Sequence, residues 1–198
     1  HAFVALAAAS AWQAGNEDAK PLLDDIIDVI ETRFWSEDEG RMREGFSRDW
    51  REDEAYRGGN SNMHSTEAFL QLAAVLDEPK WRARALSIVD RIIHAHARPN
   101  DYRVVEHFDS EWNEWRDYNQ ETPKDQFRPY GATPGHAFEW ARLMLHLEGG
   151  LLRHGEAAPG WLLEDAQGLF HSATELAWNV DGEPGLIYTH DWKNQPVV

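Results

Sequence analysis

Cysteine is absent from the 198 residues, so neither a disulfide nor a cysteine-ligated metal can brace this chain. Positive charge is scarce: 19 Lys and Arg stand against 35 Asp and Glu, a net charge of −16. A nucleic-acid or anionic-membrane partner would need a basic face, so neither is expected. No apolar run approaches the ~18 residues that span a bilayer, and no signal-peptide pattern is visible. The chain also lacks a phosphate-binding P-loop, a dinucleotide glycine fingerprint, a G-x-S-x-G elbow and an H-E-x-x-H zinc motif. Its histidines have no compact ligand spacing. No metal and no cofactor are therefore expected, and a cytoplasmic setting fits best.

What is present is ordinary in bulk and unusual in detail. Hydrophobic residues make up 42% and charged residues 27%, which suits a soluble globular fold. Ten tryptophans are many for this length. Most belong in a core, but Trp35, Trp50, Trp112, Trp115 and Trp192 lie in or beside polar segments. A flat aromatic face near hydrogen-bonding groups suits a sugar ring, which has an apolar C–H face and a polar rim.

Apolar periodicity predicts six helices. The first holds Phe3, Val4, Ala7, Ala8 and Trp12 and stops at Gly15. No start signal precedes it, so the chain reads as beginning inside a helix. The others span about 19–35, 62–76, 80–97, 134–148 and 160–178. Polar segments over 36–59 and 98–133 separate the pairs. A short strand is expected within 104–108, and extended structure over 185–192. Helices that alternate short links with long loops resemble stacked helical hairpins, as in a solenoid or an α/α toroid.

Two stretches stand out. Gly58-Gly59-Asn60-Ser61-Asn62-Met63-His64 leads into a helix that continues to Glu67, and Thr133-Pro134-Gly135-His136 leads into one that continues to Glu139. Each is a Gly-containing turn followed by a first-turn histidine and a glutamate three residues on, on the same helix face. Threonine is a good N-cap and proline a good first helical residue, which puts His136 at the third position. There the helix dipole disfavours the imidazolium, so His136 is expected to be neutral near pH 7 and able to take a proton. Asn60 either shares a face with His64 or is only a cap. Met63 is of a type more often found in a core than against a ligand. Glu67, Glu139 and Asp125 offer a carboxylate pair for glycoside hydrolysis, a weak signal in so acidic a chain.

These segments, with Glu106-His107-Phe108-Asp109, Phe127-Arg128-Pro129-Tyr130-Gly131, Trp140-Ala141-Arg142-Leu143 and Tyr188-Thr189-His190-Asp191-Trp192, together resemble the N-acylglucosamine 2-epimerase superfamily. The match runs in order along the whole chain. The N-x-N-M-H and T-P-G-H-x-x-E-W forms look closest to its aldose–ketose isomerases of the D-mannose and sulfoquinovose type.

The resemblance implies an all-α (α/α)6 barrel with long loops and short strands at its mouth. Residues 1–198 would form one partial domain, about half of that barrel. It implies His136 as a catalytic histidine with Glu139 as its companion carboxylate. It implies substrate binding by His64, Asn60 and Met63 of the N-x-N-M-H segment, and by Phe3. Trp192 would stack on the sugar. A second catalytic histidine and a binding arginine would lie outside residues 1–198. The expected activity is metal-independent isomerisation of a monosaccharide, mannose to fructose in type, by histidine acid/base catalysis through an enediolate. The alternatives are a sugar 2-epimerase and a non-catalytic sugar-binding fragment. The chain alone is expected to be inactive and to self-associate as a homo-oligomer through its open flanks.

Overall fold

The computed structural model describes all of residues 1–198. Six α-helices carry the chain: α1 (Ala2–Gln13), α2 (Lys20–Val29), α3 (Gly59–Leu76), α4 (Pro79–Val89), α5 (Pro134–Arg153) and α6 (Trp161–Ala177). They form three hairpins. α1, α3 and α5 stand side by side in a row, and α2, α4 and α6 each return along their own predecessor. The all-α expectation holds.

Residue types explain the two rows. α3 buries Asn62, Met63, Ser65, Thr66, Ala68, Phe69, Leu72 and Ala73, covering most of its circumference. A helix buried on so many sides belongs to the interior. α1 meets it through Ala5, Ala8 and Ala9, whose small side chains allow close approach. α2 is one-sided: Leu23 and Ile26 point inward, while Asp24 and Asp25 face solvent. One continuous core results, with Phe69, Trp81, Trp140, Ile88, Ile92, Leu143 and Met144 fully inside. Burying each large apolar side chain stabilises the fold by about 1.5–3 kcal/mol.

Helix ends follow local chemistry with two surprises. α2 and α4 pass into wide turns with i→i+5 bonding over Ile30–Phe34 and Asp90–Ala97. α5 runs beyond the expected stop at 148, straight through Gly149 and Gly150. Each helical glycine costs about 1 kcal/mol. Burial of Leu147 and Leu151 on either side offsets it. The helix ends at His154, where Gly155 takes φ +71°.

The polar segments are more ordered than expected. β1 (Trp35–Ser36) pairs antiparallel with β2 (Arg41–Met42), Trp35 opposite Met42. β3 (Tyr56–Gly58) pairs antiparallel with β4 (His107–Asp109), Gly58 opposite His107. The strand expected within 104–108 thus begins later, at His107. Residues 185–192 make only single bridges, Trp178 to Leu186, Ala132 to His190 and His190 to Pro196.

The three inner helices are parallel and begin at one end of the molecule. Phe3 of α1 meets His64 of α3 at 4.5 Å between ring centroids, and Glu67 of α3 meets Arg142 of α5. The starts of α3 and α5 flank Glu106 between them. The connecting segments reach the same end, so it is framed by loops on one side and helix N-termini on the other.

Candidate active site

The start of α3 is set by Asn62. Its amide is fully buried, accepts from Met42 N–H at 2.9 Å, and donates to Met42 O at 3.1 Å and Gly58 O at 3.0 Å. This clamp between β2 and β3 starts the helix at Gly59, earlier than the expected position near 62. Gly58 occupies the cap position, so Asn60 lies inside the helix and is not its cap. His64 consequently falls in the second turn, one turn deeper than its sequence setting suggested. Its Nδ1 lies 3.7 Å from Glu67, which also receives a hydrogen bond from Arg142 at 2.7 Å. Asn60 is half-buried and its Oδ1 has no hydrogen-bond partner. Met63 has no exposed surface and packs in the core, so it is not open to a ligand.

The start of α5 is built differently. Pro134 is the first helical residue and His136 the third, as expected. Thr133 holds the cap position, but its hydroxyl makes no capping bond and is buried without a partner. His136 keeps 21% of its side-chain surface. Its Nδ1–H donates to Oε1 of Glu106 at 2.9 Å, and Nε2 has no protein partner. The companion carboxylate in direct contact is therefore Glu106, not Glu139. Burial pushes the His136 imidazole down, but Glu106, by charge and hydrogen bond, and then Glu139, by charge, outweigh it and lift its pKa above the usual value. The shift runs opposite to the expectation from helix position alone. Glu106 escaped the sequence reading because its neighbours mark only a short strand, and nothing in their spacing ties that strand to α5.

The segment bearing Glu106, just before β4, is firmly held. His107 Nε2–H donates to Pro129 O at 2.8 Å, and Tyr56 O–H donates to its Nδ1 at 2.7 Å. Burial holds His107 below the usual histidine range, so it is a neutral structural bridge. Arg128 stacks on Tyr56 at 3.9 Å and bonds Glu54 at 2.8 Å, fixing the chain just before α5.

The other candidates are spread along the same end. Phe3 is exposed and lies over His64. Trp192 donates from Nε1 to Arg116 O at 2.7 Å and carries the Arg116 guanidinium on its ring. The loop tryptophans are mostly packed. Trp35 and Trp112 are buried, Trp112 under the Arg41 guanidinium at 3.7 Å, and Trp50 joins Phe34 and Phe46. Trp115 alone of this group keeps a broad open face. His94 and His96 are tied on the outer helices, to Asp165 at 2.7 Å and to Glu114 at 2.9 Å.

Residues 1–198 match the N-acylglucosamine 2-epimerase (GlcNAc 2-epimerase) family. The chain is 60% identical over all 198 residues to a D-mannose isomerase of Pseudomonas cannabina pv. alisalensis, covering 48% of that protein. It superposes on a crystal structure of D-mannose isomerase with a TM-score of 0.88 at 35% identity, over 98% of this chain and 48% of that one. A cellobiose 2-epimerase from Spirochaeta thermophila DSM 6192 shares the fold, with a TM-score of 0.75 at 19% identity over 98% of this chain and 47% of that one. The chain thus spans about half the length of the curated relatives it matches. None of its helices is long and apolar enough to cross a membrane.

Proposed function

The chain belongs to the N-acylglucosamine 2-epimerase family, and from that premise we propose that it forms one wall of the active site of a monosaccharide isomerase. The reaction is of the mannose-to-fructose type and needs no metal. One observation carries the reading: the parallel starts of α1, α3 and α5 bring Phe3, His64 and His136 to one end of the molecule, with His136 Nε2 free of protein partners. The 60% identity to a D-mannose isomerase favours the isomerase over the 2-epimerase.

The chemistry asks for little more. The proton on C2 of an aldose is weakly acidic, so its removal needs a base and stabilisation of the developing enediolate. His136 exchanges that proton through Nε2. Three helix N-termini at the same end supply positive potential toward the enediolate oxygens. His64 and Asn60 hold hydroxyls, Phe3 supplies an apolar face, and Glu139 is one helical turn beyond His136. Returning the proton to C1 gives the ketose; returning it to the opposite face of C2 would give the epimer. The second acid/base comes from sequence outside residues 1–198. The glycoside-hydrolase reading is disfavoured because Glu67 is already paired with Arg142.

One flank of the molecule remains apolar. Leu145 and Leu152 of α5, and Leu163 and Phe170 of α6, are each more than 40% exposed. A patch of this kind drives association. In the proposed whole enzyme a further helical hairpin covers it. Residues 1–198 alone are expected to self-associate and to be inactive, and light scattering with a mannose assay checks both.

The deciding experiment is mannose turnover by the full-length enzyme in D2O, with product analysis. Fructose carrying deuterium at C1, at a rate insensitive to chelator, is expected. Glucose as the main product moves the reading to the epimerase, and a chelator-abolished rate removes its metal independence.

A further inference from the structure

We propose that Glu106 is a positioning residue for the reaction: it holds His136 by Nδ1, so that Nε2 is the nitrogen that exchanges the proton with the sugar. This rests on the reading of His136 as an acid/base.

The contact has the marks of an arranged one. Glu106 is only 3% exposed. Oε1 accepts from His136 Nδ1–H at 2.9 Å, while Oε2 is buried with no partner. A carboxylate in that state is costly to bury, and a cation forming beside it is what compensates. An ionised carboxylate can only accept, so the shared proton resides on Nδ1 and the neutral ring presents a bare Nε2.

The Gly-rich turn before α3 makes room for this arrangement. Gly59 N–H donates to Glu106 O at 2.8 Å. A Cβ on Gly59 would lie 2.9 Å from Val105 O and 3.4 Å from Glu106 Oε2. The glycine of the first histidine motif thus admits the carboxylate that serves the histidine of the second. Val104 and Val105, both buried, and the bridged His107 keep the segment from shifting.

Two carboxylates bear on the ring: Glu106 from the segment before β4 and Glu139 from its own helix, against the opposing effect of burial. With the Glu106 charge removed, burial faces Glu139 alone. The limb of the pH–rate profile that belongs to His136 then moves to lower pH.

The test uses the full-length enzyme. In the unsubstituted protein, nitrogen-15 NMR of labelled histidine should show the neutral His136 ring protonated at Nδ1. E106Q keeps the shape and loses the charge. It should lose about 10²–10⁴-fold in kcat, as when the carboxylate behind a catalytic histidine is neutralised, with little change in KM. Its His136 limb should shift to lower pH, and E106D should restore part of the rate. Wild-type kcat in folded E106Q, or a lost kcat with an unmoved limb, overturns the proposal. So does an Nε2–H tautomer in the unsubstituted enzyme, which decides the matter even if E106Q does not fold. H136Q separates the two layers. If it is fully active, the acid/base reading itself fails. If it is inactive while E106Q is silent, only the role of Glu106 fails.

Discussion

His136 sits in the first turn of α5 with a buried carboxylate from another element behind it, whereas His64 sits in the second turn of α3 with a carboxylate of its own helix beside it and a phenyl ring over it. The two sequence settings look alike: glycine turn, histidine, glutamate three residues on. The folded settings differ because different neighbours reach them. At α5 the i+3 residue Glu139 acts on the ring only through its charge, and Glu106 makes the bond. At α3 the i+3 residue Glu67 is shared with Arg142. A repeated motif placed two histidines at one end of the molecule. In the proposed reaction, the packing around each suits one to proton transfer and the other to binding.

The sharpest way to break that division is to remove each imidazole in the full-length enzyme. H136Q should cost about 10²–10⁴-fold in kcat, the usual scale for a lost general acid/base. H64Q should cost less, about 10-fold in kcat with a raised KM, because in the proposed reaction it removes hydroxyl contacts and leaves the proton-transfer group in place. Steady-state kinetics on mannose reads both. Equal losses in kcat with unchanged KM would erase the distinction.

The two glycine turns sharpen it further. G59A places a methyl group 2.9 Å from Val105 O and should destabilise the protein by about 1–3 kcal/mol, as overpacking does. G135A meets nothing within 4 Å and should stabilise it by about 0.5 kcal/mol, by restricting the unfolded chain. Thermal unfolding of the two variants should therefore move in opposite directions; a loss of stability in both would mean that the α5 turn is also closely packed.

A small effect also belongs to the bridge between the two helices. Arg142 is 46% exposed where it meets Glu67, so R142Q should change stability by no more than about 1 kcal/mol. A larger loss in denaturant unfolding would show that the pair carries structure as well as charge.

Much of this protein was legible before any coordinates. Apolar spacing marked all six helices, because one-sided or all-round burial leaves its period in the residues themselves. Pro134 marked where α5 begins, because backbone conformation at a helix start restricts residue type. Several things were decided only in three dimensions. Asn62 moved the start of α3 by reaching Met42, a residue remote in sequence. α5 continued through two glycines because core burial outweighed their local cost. Met63 went into the core, and Trp35 and Trp112 were covered. Above all, the partner of His136 came from a loop residue 30 positions upstream, just before β4, where no helical spacing could point to it. Local propensity and periodicity are written along the chain and can be read there. A hydrogen bond between distant segments exists only once packing has brought them together, and it is such a bond that sets the charge balance of His136.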